Sequence, residues 1–142
     1  MDFAHHFPAS TLREYDIRGI VGETLHSADA FAIGRCFGSL IARAGGSRVA
    51  VGRDGRLSSP SLSAALIDGL MASGMQVLDI GCGPTPMLYF AATTENMDGA
   101  VMVTGSHNPA NYNGFNTGGK PRRNVDRLAP EAISAFNTRT AA

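Results

Sequence analysis

The densest group of reactive side chains lies in residues 104–114, directly after a short apolar run. A hydroxyl, an imidazole and an amide follow one another there, as Ser106, His107 and Asn108. Two glycines in the same segment would let a ligand approach the backbone closely. These residues could form a reaction site, but serine and asparagine before a proline such as Pro109 also form local side-chain to backbone turns. The segment alone leaves both interpretations open.

Two other polar, glycine-containing segments also follow apolar runs, at residues 52–60 and residues 81–86. In α/β proteins, ligands bind at the ends of parallel strands, because helix N-termini and free backbone amides converge there. We therefore expect the functional site to be built from these two segments and residues 104–114.

The signatures of two common kinds of site do not fit these segments. A hydrolase elbow needs G-x-S-x-G, whereas Ser106 has Thr104 two residues before it and Asn108 two residues after it. The glycine pair at residues 81–83 has Pro86 where a dinucleotide-binding fingerprint has its third glycine. Acyl transfer and dinucleotide binding are therefore not indicated.

Composition and terminal sequence argue against several other classes of function. Twelve Lys and Arg residues balance twelve Asp and Glu residues, so no net charge attracts nucleic acid or an anionic membrane surface. The two cysteines and four histidines lack the spacing of a disulfide framework or a zinc site. The N-terminus does not resemble a signal peptide, and no apolar stretch has the length of a membrane span. We expect a cytoplasmic protein that binds neither nucleic acid nor membrane.

The segments that must position the reactive residues alternate between strand and helix. Apolar, β-branched runs predict buried parallel strands at Arg48–Val51, Gln76–Ile80 and Ala100–Val103. Helical spacing or an initial proline predicts helices at Ser27–Ala44, with Ser27 as the cap, Pro60–Ser73 and Thr85–Thr94. This order predicts one α/β domain, a three-layer α/β/α sandwich with a mostly parallel sheet.

The end of the chain differs in composition. From Lys120 onward it carries five Lys and Arg residues against one Asp and one Glu. Pro130 could start a short helix, but the pattern predicts no further strand there. We therefore divide the chain into a domain of residues 1–119 and a weakly specified basic tail of residues 120–142.

Four stretches resemble, in this order, the motifs of the α-D-phosphohexomutase family. They are Tyr15–Gly22 (YDIRGIVG), Val51–Ser58 (VGRDGRLS), Gly83–Pro86 (GPTP) and Thr104–Pro109 (TGSHNP). Members of this family, the phosphomannomutases and phosphoglucomutases, have four domains and interconvert hexose 1-phosphates and 6-phosphates. The chain resembles the first of these domains.

The resemblance implies a phosphoryl-transfer role for the residues of the fourth motif. Ser106 would carry the phosphoryl group, giving it to a hexose monophosphate and receiving the other phosphate back from the resulting hexose 1,6-bisphosphate. Arg18 would bind that phosphate through its planar, permanently charged guanidinium. His107 would orient the phosphoserine site, and Asn108 would contribute to phosphate binding.

The resemblance also implies a cofactor and partners. Mg²⁺ would be held in part by the phosphate on Ser106, a hexose phosphate would be the substrate, and the remaining domains of a longer chain would complete the site. For Arg53, Asp54 and Arg56 we favour a structural role, in which the carboxylate pairs with the two arginines.

Two features depart from the family pattern. The Asp-rich D-G-D-G-D loop of the second domain, which completes the metal site in the family, does not occur in the sequence, and neither do the sugar-binding loops of the later domains. Asn116 stands where the family has a lysine assigned to proton transfer, which an asparagine cannot perform, and Lys120 lies four residues further on.

The resemblance thus implies a phosphohexomutase domain that is incomplete and inactive as an isolated chain. A natural truncation, a frameshift and a piece of a longer chain are all consistent with these departures. Two alternatives stay open, a non-catalytic phosphosugar-binding domain and an inactive fragment. The residues do not specify a preference for mannose or glucose phosphates.

Overall fold

Residues 17–119 are described by the computed structural model of the chain, and they form five strands and three helices. In chain order these are β1 (Ile17–Ile20), α1 (Ser27–Arg43), β2 (Arg48–Arg53), α2 (Ser59–Ala72), β3 (Gln76–Cys82), α3 (Thr85–Thr94), β4 (Gly99–Val103) and β5 (Tyr112–Gly119). The three predicted strands and the three predicted helices are all present. The prediction that the strand at Gln76–Ile80 is buried is wrong, because β3 lies at the edge of the sheet and its residues are partly or fully exposed. The basic tail and its predicted helix at Pro130 lie outside the described residues, and the boundary at residue 119 stays a prediction.

The sheet has the strand order β1-β5-β4-β2-β3. β2 pairs in parallel with both β3 and β4, whereas β5 is antiparallel to β4 and to β1. Among these strands, β5 alone therefore runs against the others, in a mixed sheet whose strands mostly share one direction. This confirms the predicted α/β class. It also brings the loops after β2, β3 and β4 to the same edge of the sheet.

Alternating side chains of the central strands supply two apolar layers. Val49 and Val51 of β2, with Val101 and Val103 of β4, face the layer that contains α1 and α2. The intervening residues of the same strands face the layer that contains Leu88 of α3. Helices therefore cover both faces of the sheet, as the three-layer prediction requires.

The two helices on the first face approach each other at glycines. A Cβ atom added to Gly34 of α1 would overlap the carbonyl oxygen of Leu66, and one added to Gly69 of α2 would overlap the carbonyl oxygen of Phe31. The helix backbones are thus in direct contact at these points, which only a residue without a side chain permits.

One detail of α1 corrects the sequence prediction. The helix begins at Ser27, so His26 and not Ser27 occupies the cap position. The His26 backbone N–H donates to Oδ2 of Asp29 at 2.7 Å. The acidic residue in the first turn therefore satisfies the cap amide, as in one half of a capping box.

None of the helices in residues 17–119 has the length and apolar character needed to cross a membrane.

Candidate functional site

Ser106 lies in the loop between β4 and β5, residues 104–111, here called the serine loop. Ser106 is exposed, and its φ of 53° lies in the left-handed region. A residue with a side chain costs about 1–3 kcal/mol in such a sparsely populated conformation, and it persists only where its surroundings hold it. Contacts around Ser106 must therefore stabilise the loop.

Besides the N–H of Thr104, which pairs with the Gly114 carbonyl of β5, three further backbone N–H groups of the serine loop are hydrogen-bonded. The N–H of Ser106 donates to the Thr104 hydroxyl oxygen at 3.0 Å, and the N–H of Asn108 donates to the Gly105 carbonyl at 3.0 Å. The N–H of Gly105 donates to Oδ2 of Asp54, directly after β2, at 2.9 Å. These three amides thus stabilise the loop and are not free to form an anion-binding nest.

The guanidinium of Arg56 binds the serine loop from the neighbouring loop after β2. Its five N–H donors are matched by one carboxylate and four carbonyl contacts. Nε donates to Oδ2 of Asp54 at 3.2 Å, and the terminal nitrogens donate to the carbonyls of Ser106 (3.2 Å), Asn108 (2.8 Å), Pro109 (2.6 Å) and Tyr112 (3.1 Å). The guanidinium also lies against Gly105, where an added Cβ would overlap it. Arg56 is therefore a structural clamp, as the sequence predicted.

Asp54 connects the loop after β2 with the serine loop. Burial raises the pKa of Asp54, but hydrogen bonds from the Ser59 hydroxyl, the backbone N–H groups of Gly105 and Arg56, and the Thr104 hydroxyl together lower it below its ordinary value. The Ser59 hydroxyl lies 2.5 Å from Oδ1. Asp54 is thus an ionised acceptor whose oxygens are already engaged by the protein.

Arg18 is the second cation at the serine loop. It lies on β1 opposite Gly114 of β5, it is 4% exposed, and its guanidinium donates to the carbonyl of Thr104. A Cβ atom on Gly114 would overlap the β1 backbone and lie 2.7 Å from Nη1 of Arg18. The fold therefore brings Arg18 into contact with Thr104, which precedes Ser106 by two residues in the chain. Gly114 leaves the space that the Arg18 side chain occupies.

The other two predicted site residues have different environments. His107 is exposed beside Ser106. The side-chain amide of Asn108 donates to the Gly105 carbonyl at 3.0 Å, so Asn108 takes part in the local turn that was one of the two interpretations of this segment. The turn and the exposed serine occur together, so the two interpretations are compatible.

Two residues that stabilise the site received no role from the sequence. The hydroxyl oxygen of Thr104 accepts from the Ser106 N–H, and the Thr104 hydroxyl also helps to lower the pKa of Asp54. Asn113, which is fully buried on β5, donates its amide to the hydroxyls of Ser58 and Ser59 at 2.9 Å each. No sequence signal pointed to Asn113, because β5 was not predicted and an asparagine is unfavourable in a strand unless its side chain is hydrogen-bonded.

Arg53 and Asn116 lie apart from these contacts. The Arg53 guanidinium is 3.7 Å from the carboxylate of Asp79 on β3, so the expectation that Arg53 pairs with Asp54 is wrong. The Asp54 carboxylate is instead occupied by the hydrogen bonds from Arg56, Ser59 and Gly105 described above. Asn116 pairs with Met102 across β5 and β4.

The described residues do not fit a complete Mg²⁺ site. Among residues 17–119, no group of three or more His, Cys, Asp or Glu side chains could hold a metal ion. Asp54 is the carboxylate in contact with the serine loop, and both of its oxygens accept protein hydrogen bonds. Mg²⁺ prefers several carboxylate, phosphate and water oxygens, so ligands from elsewhere would be required.

Comparison with known proteins gives one consistent family. The profile described as phosphoglucomutase/phosphomannomutase, alpha/beta/alpha domain I, matches residues 9–137. A phosphomannomutase/phosphoglucomutase of Pseudomonas aeruginosa is 56% identical over 132 residues, which are 93% of this chain and 28% of that protein. A phosphomannomutase of Klebsiella pneumoniae is 42% identical over 128 residues, which are 84% of this chain and 80% of that protein.

A solved structure agrees with this assignment. A phosphoglucomutase/phosphomannomutase family protein from Burkholderia thailandensis has a TM-score of 0.79 to this chain at 40% identity, and the match covers 96% of this chain and 31% of the other. The chain thus spans less than a third of this structure and of the Pseudomonas protein. On the profile match and these identities, the chain belongs to the phosphoglucomutase/phosphomannomutase family and corresponds to its α/β/α domain I.

Proposed function

We propose that this chain is the phosphoryl-carrying domain of a phosphohexomutase, with Ser106 as the residue that is phosphorylated. The observation that carries the proposal is the exposed Ser106 at the carboxyl end of β4, in a loop whose neighbouring amides are engaged internally. In a loop stabilised in this way, the serine side chain is presented to a ligand while the backbone stays fixed. Membership of the mutase family supports phosphoryl transfer as the reaction.

The proposed step moves one phosphoryl group between two oxygens. The bond from phosphorus to a sugar oxygen of a hexose 1,6-bisphosphate breaks, a bond from phosphorus to Oγ of Ser106 forms, and the serine proton ends on the released sugar hydroxyl. The reverse step on the other hydroxyl would complete the exchange between C1 and C6. Little covalent chemistry is needed in such a transfer, and its rate depends on positioning and on neutralisation of charge.

The surrounding residues support distinct roles in this step. Arg18 would bind the phosphate on Ser106 by its guanidinium, since it already reaches the loop at the Thr104 carbonyl. His107 would orient or hydrogen-bond the phosphorylated serine, and Asn108 would hold the turn on which the phosphate is carried. Mg²⁺, which when bound would neutralise phosphate charge, would be contacted by this chain through the phosphate on Ser106.

We further propose that this domain acts within a cytoplasmic, multidomain assembly. The chain spans about 28% of the Pseudomonas relative, which supports the need for further domains. Those domains would supply the remaining metal ligands and the contacts that recognise the sugar. The isolated chain would then accept a phosphoryl group but would not turn over.

Incubation with glucose 1,6-bisphosphate tests the proposal. We expect the intact mass of the chain to rise by one phosphoryl group and the increase to survive removal of the sugar. Saturable binding of the sugar phosphate without a change of mass would instead favour the alternative, a non-catalytic phosphosugar-binding domain. Asn116, at the position of the family's lysine, is the observation that favours this alternative.

A further inference from the structure

We propose that Thr104, Asp54 and Arg56 act together as positioning residues for Ser106. They would fix the backbone of residue 106 in its left-handed conformation and so fix the place from which its hydroxyl accepts a phosphoryl group. This inference rests on the proposed function, because it explains how the proposed acceptor is held. It adds three residues that do not touch the substrate.

The backbone conformation of Ser106 requires stabilisation from its surroundings. Its φ of 53° is unfavourable for a serine, and its exposure means that packing does not impose this conformation. Hydrogen bonds from the neighbouring residues must do so instead. The N–H of Ser106 bonds to the Thr104 hydroxyl, and its carbonyl accepts from Arg56. Both backbone polar groups of the residue are thus held.

These two contacts are connected through Asp54. Nε of Arg56 donates to Oδ2 of Asp54 at 3.2 Å. The Thr104 hydroxyl, which accepts from Ser106, helps to lower the pKa of the same carboxylate. The Gly105 N–H also reaches this carboxylate, at 2.9 Å. One ionised group on the loop after β2 therefore anchors both sides of the left-handed residue.

The charge and the hydrogen-bond donors of Arg56 are already engaged within the protein. Arg56 and Asp54 neutralise each other, and the guanidinium donors of Arg56 are all engaged by the protein. Arg56 could bind a phosphate only by releasing these carbonyls. The geometry therefore favours a positioning role for Arg56 over a phosphate-binding one.

Thr104→Val removes the hydroxyl while keeping the side-chain shape, and it is the principal test. We expect the rate of Ser106 phosphorylation at saturating glucose 1,6-bisphosphate to fall about a hundredfold, the usual effect of a misplacement of about 1 Å. The donor concentration at half-maximal rate should not change, because no contact with the donor is lost. Thr104→Ser restores the hydroxyl and should restore the rate.

Arg56→Met has a matched control in Arg53→Met. Both remove a guanidinium from the same loop region, but Arg53 pairs with Asp79 and not with the serine loop. We expect a comparable loss of saturating rate for Arg56→Met and a wild-type rate for Arg53→Met. Equal phosphorylation rates for the two variants would overturn the proposal. A loss of rate in Arg56→Met that is fully explained by a lower melting temperature would overturn it as well.

A readout without any phosphoryl donor separates this inference from the proposed function. The intraresidue HN–Hα nuclear Overhauser effect of Ser106 is strong at positive φ and should weaken in Thr104→Val and Arg56→Met but not in Arg53→Met. If the wild-type chain is never phosphorylated, the proposed function fails, and this NMR comparison still decides whether the network holds Ser106. An unchanged effect in all variants would show that it does not.

Discussion

At the scale of single residues, Arg18 and Asp54 contact the serine loop from two different strands of the sheet. Arg18 lies on β1 and bonds to the Thr104 carbonyl, whereas Asp54 follows β2 and accepts from the Gly105 N–H. One residue is a cation and the other an anion, so substitutions of the two should have different consequences. Phosphate binding should depend on Arg18, and acid stability should depend on Asp54.

Arg18→Lys should weaken the binding of inorganic phosphate although the positive charge is kept. The planar fork of the guanidinium is lost, and a charge-assisted hydrogen bond contributes about 1.5 kcal/mol or more, so we expect at least about a tenfold loss of affinity. Isothermal titration would measure it, with Arg53→Lys as the control. Unchanged affinity would mean that Arg18 has a structural role only.

Asp54 should make the fold sensitive to acid. Its pKa is lower in the folded chain than in the unfolded one, so its contribution to stability is complete above the ordinary pKa of 3.8 and is lost as the pH falls through the folded value. Urea unfolding at a series of pH values should show this loss in the wild type and a smaller one in Asp54→Asn. Asp68→Asn, at an exposed residue, is the control. A loss of stability in Asp54→Asn as large as that in the wild type would contradict the role of Asp54 in acid sensitivity.

The sequence predicted which residues lie at the proposed site better than it predicted the residues that stabilise the serine loop. Ser106, His107 and Arg18 belong to recognisable motifs, so their proximity could be expected from those motifs alone. The contacts of Arg56 with four carbonyls depend on loop conformation, which no spacing in the sequence expresses. Thr104 and Asn113 were missed for the same reason.

At the scale of elements, β2, β3, β4 and all three helices could be predicted, because apolar runs, helical spacing or an initial proline mark them in the sequence. β1 and β5 were not predicted. β1 has four residues and includes Arg18, and β5 (YNGFNTGG) is rich in glycine and asparagine, which are unfavourable in strands. β5 forms because it pairs with β4 on one side and β1 on the other, and β1 forms because it pairs with β5, which are long-range effects that local patterns do not contain.

Gly69→Ala tests the close contact of α1 and α2. Alanine would gain up to about 1 kcal/mol in helix propensity, but its Cβ would overlap the Phe31 carbonyl, and overpacking costs about 1–3 kcal/mol. Because the overlap involves backbone, we expect a net loss of stability, measured by thermal unfolding. Gly55→Ala, at a site with open space around an added Cβ, is the control. A more stable Gly69→Ala variant would show that the helices can separate at no cost.

At the scale of the whole molecule, the chain is a domain of a family whose compared members are mostly longer. It spans 28% of the Pseudomonas protein and 31% of the Burkholderia structure. The described residues supply an exposed serine and a nearby arginine but not a set of metal ligands. A working site in this account therefore needs groups from outside residues 17–119.

The purified chain should show no measurable conversion of glucose 1-phosphate to glucose 6-phosphate, even with Mg²⁺ and glucose 1,6-bisphosphate. Each missing electrostatic or acid-base group costs about a hundredfold or more, and several would be missing at once. Asn116→Lys alone should not restore turnover. A coupled assay would measure turnover, with the background of a mock purification subtracted. Turnover that is present in the wild type and abolished in Ser106→Ala would show that one domain builds a working site.

The most direct test of the central claim is to locate the phosphoryl group by peptide mass spectrometry after incubation with glucose 1,6-bisphosphate. The account predicts one phosphoryl group on Ser106 in the wild type and none in Ser106→Ala. That variant should remain folded, because loss of one exposed hydroxyl changes stability by about 1 kcal/mol or less. Phosphate on Ser58, Ser59 or Thr104, or equal phosphorylation of Ser106→Ala, would contradict the assignment of Ser106 as the carrier.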